Sequence, residues 1–249
     1  MFEIGKITDT GIKRRDQPNQ DAIGVWLPGM LNRRPPLLVI ADGMGGYNGG
    51  ALASKLVVET ILKSYQHFDA RRLSYIQILE NLIQNAHLAI IENAQKDPQL
   101  SKMGSTVVAA ILEPHVTHFS NVGDSRAYLI NEKQVLQISY DHSLVAEMVR
   151  IGSLTPEEAQ QHPRRNVLTL SLSAQRQEVK PYTASIAVHK GDVILLCTDG
   201  LWSVIPETQI QEVVLTLPPQ VAAKRLVELA NENEAPDNIS VVIARKTKS

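Results

Sequence analysis

The sequence predicts an α+β protein built on antiparallel sheets. Three observations lead there. Short apolar, β-branched runs recur between Gly, Asp, Asn and Pro, as strands do. Several follow one another at hairpin distance, which favours antiparallel over wholly parallel pairing. Segments with apolar residues at helical spacing stand between them.

Taken in chain order, the first run is "LLVIA" at 37–41, followed by a Gly-rich loop and a helical pattern over 51–65. The next helix is the clearest: in "YIQILENLIQNAHLAIIENA", Leu79, Leu82, Ile83, Ala86 and Ile90 fall on one face, which must look into a core. "STVVAAIL" (105–112), "VTHFSNV" (116–122) and "RAYLI" (126–130) read as strands, as do "YTASIAV" (182–188), "VILLC" (193–197) and "ISVVIA" (239–244). The "HKGD" turn between Val188 and Val193 is expected to close a hairpin. A last helix runs from Pro219 to about Asn231, opening on proline. Residues 141–166 interrupt this order. There "TPEE" offers Thr155 as N-cap, Pro156 at the first helical position and Glu158 for a capping box, so two short helices are expected, placed as a surface flap beside a site.

Composition narrows the function. The 249 residues are 43% hydrophobic with a formal net charge of -1, the balance of a globular protein with a large core and no electrostatic call for nucleic acid or an anionic membrane. "KRR" at 13–15 is only a local basic spot. No linker or repeat marks a boundary, so one domain over 1–249 is expected. No stretch approaches the roughly 20 apolar residues of a membrane span, and the charged "MFEIGKITDT" does not resemble a signal peptide, which leads us to expect a cytoplasmic protein. The lone Cys197 sits in an apolar run and reads as buried filler, not as a nucleophile.

Four aspartates carry the chemistry. Asp42 follows "LLVIA", Asp124 follows "FSNVG", Asp199 follows "VILLCT" and Asp237 precedes "NISVVIA", so each leaves a core strand at its end. Singly, each is an ordinary turn residue. Together they can share one rim, where repelling carboxylates need a cation, and an all-oxygen set selects Mg²⁺ or Mn²⁺ over zinc. For Asp42 a nucleotide cradle is a competing use, but "DGMGGYNGG" lacks the last glycine of G-x-G-x-x-G and no G-K-[ST] occurs. Gly43, having no side chain, can offer its carbonyl to a metal.

The ordered series "RR…NQDA", "ADGMGG", "MGSTVVAA", "GDSRAYL", "DHS", "HPRRN", "TDGLW" and "PDNISVV" resembles the type 2C metal-dependent protein phosphatases in their compact bacterial form. The likeness covers nearly the whole chain. It implies a four-layer αββα sandwich of two antiparallel sheets flanked by helices, a flap subdomain over 141–178, and hydrolysis of phosphoserine and phosphothreonine in proteins at a dinuclear Mn²⁺ or Mg²⁺ centre. Carried over by motif, Asp42 would bridge the ions, the Gly43 carbonyl would complete one, and Asp199 and Asp237 would hold the other. Asp124 with Asp199 would support a third, weaker ion, and Asp21 would act through water held by the metals. Arg14 would anchor the phosphate, with Arg15 as the alternative, because "GIKRRDQPNQD" carries a two-residue insertion relative to the family spacing. Met44 stands where many eukaryotic members have a histidine proposed as general acid. "NVLTLSLSAQRQ" lacks the Arg and Gly usual after "HPRRN". His142 reads as structural and Trp202 as packing behind Asp199. The implied partners are phosphorylated proteins and a cognate Ser/Thr kinase, with no nucleic acid or membrane partner and a monomeric state. Two other classes compete: a pseudophosphatase that binds phosphoproteins without turnover, and a hydrolase of small phosphoesters.

Overall fold

A computed structural model describes residues 1–29, 34–68 and 72–247, leaving aside the side chains of Tyr47 and Asn48. In chain order the elements begin with β1 (Phe2–Asp9), β2 (Asp21–Trp26), β3 (Leu37–Met44), α1 (Gly46–Tyr65) and α2 (Tyr75–Lys96). Then come β4 (Gly104–Ser105), β5 (Val107–Leu112), β6 (Val116–Val122), β7 (Arg126–Ile130) and β8 (Val135–Gln137). The flap holds α3 (Leu144–Arg150) and α4 (Pro156–Gln161), and β9 (Leu172–Ser173) leads out of it. The chain ends with β10 (Tyr182–Ala187), β11 (Val193–Cys197), α5 (Asp199–Trp202), α6 (Glu207–Thr216), α7 (Pro219–Glu232) and β12 (Ile239–Lys246).

The strands form two antiparallel sheets. One has the order β1-β12-β11-β7-β8; in the other, β10-β6-β5-β3 continues through β4 to β9, and β2 pairs with β3. Strand alternation explains why their central runs are apolar at every position. Leu38, Ile40, Ile194, Leu196, Val242 and Ala244 meet between the sheets. Their neighbours Leu37, Val39 and Ala41 face α1 and α2, while Val193, Leu195 and Cys197 face α6 and α7. A strand covered on both sides needs no polar face. The result is the four-layer sandwich, with Leu79, Leu82, Ile83, Ala86 and Ile90 of α2 fully buried against its sheet.

Four expectations are corrected. The "HKGD" segment does not close a hairpin, because β10 is an edge strand of one sheet and β11 is central in the other. Gly191 at φ 93° and the His189 amide donating to Asp192 Oδ2 at 2.7 Å make the tight turn its residues announce, yet the turn carries the chain across the sandwich. The run 105–112 is two strands, split where Thr106 donates its amide to the Asp42 carbonyl. Helix α1 begins at Gly46, five residues earlier than its apolar spacing indicates. α6 is a further late helix, placed after Pro206. The capping box at Thr155 and Glu158 is present as expected. Among the described residues no helix is long and apolar enough to cross a membrane.

Candidate metal centre and active site

Five carboxylates meet at one end of the sandwich, four of them at or near strand termini. Asp21 opens β2 directly opposite Asp42 of β3. Asp124 lies in the short turn from β6 to β7, which passes from one sheet to the other. Asp199 is the first residue of α5, immediately after β11, and Asp237 precedes β12. Asp42 is not at the end of its strand; β3 continues to Met44 by pairing Gly43 and Met44 with β4.

Neutral polar residues fix these positions. The Asp42 amide donates to Thr106 Oγ1 at 3.0 Å, and the Thr106 amide returns a bond to the Asp42 carbonyl at 2.8 Å. Thr198 donates its hydroxyl to Asp21 Oδ2 at 2.8 Å while accepting from the Ser240 amide at 3.0 Å, which ties β2 to the other sheet. Asn238 accepts from the Gln20 amide and donates to the Thr10 carbonyl, both at 2.8 Å, and so holds the N-terminal loop against the rim. Two glycines are required by close approach. A Cβ on Gly43 would lie 1.9 Å from the Gly50 carbonyl oxygen, and one on Gly200 would lie 2.0 Å from that of Asn238.

The rim is short of positive charge. Burial first, then the neighbouring carboxylates, raise Asp42 and Asp199 well above the ordinary range. Burial pushes Asp21 up to about 7, against the bonds from Ser240 and Thr198, and pushes Asp124 up to about 6 with help from Asp141. Asp237 is raised less, by burial, because the Asn238 amide and Arg14 oppose the shift. Arg14 donates Nη2 to Asp237 Oδ2 at 2.7 Å. Asp199 Oδ1 is buried and has no hydrogen-bond partner among the described residues. An orphaned buried carboxylate oxygen costs more than most single interactions return, and a cation is what satisfies it. Among the described residues no three His, Cys, Asp or Glu side chains are grouped so as to hold a metal ion by themselves. The oxygen donors fit a hard divalent ion that takes part of its coordination from water and backbone carbonyl.

A cavity of about 1000 Å³ opens over this rim. Arg14, Asp124, Asp199 and Asp237 line it from the body, and Val145, Val149, Pro156, Ala159 and Arg165 from the flap. Arg15 is exposed and does not line it. His142 is buried with Nδ1 3.3 Å from the Gly123 amide, and burial lowers its pKa, so it braces the turn that carries Asp124. Cys197 is fully buried and its thiol is pushed up by burial, as filler should be. Trp202 does pack against the helical side of its sheet, but its indole also reaches the Asp124 carbonyl. Thr106, Thr198, Asn238 and the Arg126–Asp141 ion pair carry no sequence signal of their own beyond lying inside the motifs "GSTV", "CTDG", "PDN", "GDSR" and "DHS".

Comparison with known proteins agrees with this fold. A family model described as Protein phosphatase 2C matches residues 10–231. The serine/threonine phosphatase stp of Listeria monocytogenes is 34% identical over 217 residues, covering 85% of this chain and 84% of its own. The crystal structure of serine/threonine phosphatase Stp1 from Staphylococcus aureus superposes with a TM-score of 0.90 at 32% identity, over 100% of this chain and 96% of that one. The catalytic domain of the serine threonine protein phosphatase PstP, solved in complex with 2 manganese ions, superposes with a TM-score of 0.85 at 29% identity over 99% of both chains.

Proposed function

The chain belongs to the protein phosphatase 2C family, and we propose that it hydrolyses phosphoserine and phosphothreonine in proteins with divalent cations held at the aspartate rim. The observation that carries this reading is the unpartnered, buried Asp199 Oδ1 among carboxylates that raise one another's pKa values. Asp42 and the Gly43 carbonyl would hold one ion, Asp42, Asp199 and Asp237 a second, and Asp124 with Asp199 a weaker third. Mn²⁺ and Mg²⁺ both suit the oxygen donors. When bound, the ions supply the charge that makes water nucleophilic near neutral pH and stabilises the phosphoryl group in flight.

The protein's own residues do the rest. Arg14 is already at the cavity, held on Asp237 by one of its donors, and an arriving phosphate dianion offers its planar fork two matched oxygens instead. Asp21, bonded to Thr198 and directly opposite Asp42, would act through water held by the ions. Flap residues wall the cavity opposite the aspartates, where they would meet the polypeptide around the phosphoresidue. A cytoplasmic site of action, opposite a Ser/Thr kinase, completes the reading.

The test is hydrolysis of an aryl phosphate and a phosphothreonine peptide with Mn²⁺, with Mg²⁺ and with chelator. Turnover that requires the ion and favours the peptide is expected. Turnover in chelator overturns the metal reading, a preference for the small ester moves the protein to small-phosphoester hydrolysis, and none in any ion makes it a binding module.

A further inference from the structure

Beside the rim, at the wall of the same cavity, five side chains form one polar stack, four from residues 126–141 and Trp202 from α5. The Trp202 indole donates Nε1–H to the Asp124 carbonyl at 3.0 Å. Its ring face is covered by Arg126, with Cζ 3.7 Å from the ring centroid. Arg126 is held in turn by Asp141, through Nε at 3.0 Å and Nη2 at 2.7 Å to Oδ2, and by the Tyr128 hydroxyl, which accepts from Nη1 at 2.9 Å. Gln137 donates Nε2–H to Asp141 Oδ1 at 2.7 Å, closing the set.

The stack adds a side-chain link between two carboxylates whose segments the pairing of Arg126 with Cys197 already brings side by side. Trp202 is the last residue of the one-turn helix whose first residue is Asp199, and a helix this short has little rigidity of its own. Its far end is pinned to the turn carrying Asp124. We infer that Trp202 and Arg126 are positioning residues that fix the separation of Asp124 and Asp199, and so set the affinity of the divalent-ion site those two carboxylates share. The inference rests on the metal reading proposed above. A cation–π contact clamped by a bidentate ion pair resists rotation of the indole, so the N–H stays aimed at the Asp124 carbonyl.

The experiment counts bound Mn²⁺ by equilibrium dialysis for the parent protein, Trp202→Phe and Arg126→Lys, alongside melting temperature. Trp202→Phe keeps a ring under Arg126 and removes only the N–H; Arg126→Lys keeps the charge and loses the fork. Both are expected to weaken the weakest Mn²⁺ step by about five- to tenfold, the effect of one lost hydrogen bond, with the tighter steps shifted by less than about twofold. Asp124→Ala should remove that weakest step altogether. Parent-like binding in both variants overturns the inference, and so does equal weakening of every step, which marks a general packing role. If Trp202→Phe fails to fold, Arg126→Lys decides alone. A parent protein that binds no Mn²⁺ fails the metal reading itself, a result distinct from either of the others.

Discussion

The rim and the flap face each other across the cavity and are stabilised in opposite ways. The flap is locally content. Ser143 caps α3, Thr155 and Glu158 box the start of α4, Glu147 pairs with Arg150, and Val145 is the sole buried residue of its two helices. The rim is held by bonds between residues far apart in sequence, such as Thr198 with Asp21 and Asn238 with Gln20, and it confines carboxylates that repel. What differs is where each is free to change. Substitutions in the flap alter local structure, whereas substitutions in the rim alter charge balance that the whole sandwich maintains.

The largest expected effect breaks the rim's function while relieving its strain. Asp199→Asn should lower turnover by well over about 100-fold, more than the loss of a residue that merely supports a ligand. In chelator the same variant should melt no lower than the parent, since it removes a buried carboxyl whose Oδ1 has no partner among the described residues and whose ionisation its neighbours oppose. Full activity with Mn²⁺ sinks the assignment of Asp199, and a large drop in metal-free stability shows that the carboxylate is satisfied in some other way.

Arg14→Ala comes next. It should cost on the order of 100-fold in kcat/KM for a phosphopeptide, the scale for removing one donor to a developing anion. Divalent ions should bind at least as tightly, because the guanidinium on Asp237 no longer competes for that carboxylate. Arg15→Ala, at an exposed position off the cavity, is the control and should change kcat/KM by less than about twofold. Equal losses in the two variants would return the phosphate anchor to both arginines.

A pH series sharpens the contrast without disabling the protein. Asp21 is raised to about 7 and Asp124 to about 6 from 3.8, so in chelator the folded protein binds more protons than the unfolded chain between those values. Stability contributed this way is complete below the unfolded pKa and is lost as pH rises through the folded one. His142, kept neutral by burial, works in the opposite direction. Melting of the chelated protein should therefore be compared between parent and Asp21→Asn from about pH 5 to about pH 8. The variant should lose less stability over that range, and added divalent ion should flatten the parent's curve. Parallel curves would show that Asp21 is ionised throughout.

Much of this was legible in the sequence, for reasons that also explain what was not. Apolar runs gave β3, β6, β7, β11 and β12 because those strands are covered on both faces. β1 alternates polar and apolar residues along an edge and announces itself weakly. Asp42, Asp124, Asp199 and Asp237 could be picked out because each ends or follows a run that must be core. Thr106 could not, since a threonine inside "STVVAAIL" reads as one more strand residue until its amide is seen bonded to the Asp42 carbonyl. The contact of Arg126 with Trp202 depends on how β7 and β11 lie side by side, which periodicity does not encode.

The smallest effect tests the flap as a unit that can be loosened alone. In α4 the Thr155 hydroxyl accepts from the Glu158 amide at 3.2 Å and Glu158 Oε2 accepts from the Thr155 amide at 2.8 Å. Thr155→Ala removes half of this box, about 1 kcal/mol of helix stability. Because α4 buries no residue in the core, that loss should stay local: amide exchange over 155–161 should quicken by about fivefold while global melting hardly moves. Pro156 and Ala159 line the cavity from this helix, so KM for a phosphopeptide should rise a few-fold, whereas an aryl phosphate that touches only the rim should turn over as before. If both substrates suffer alike, the flap helps to order the rim, and the division between the two regions is less sharp than their bonding indicates.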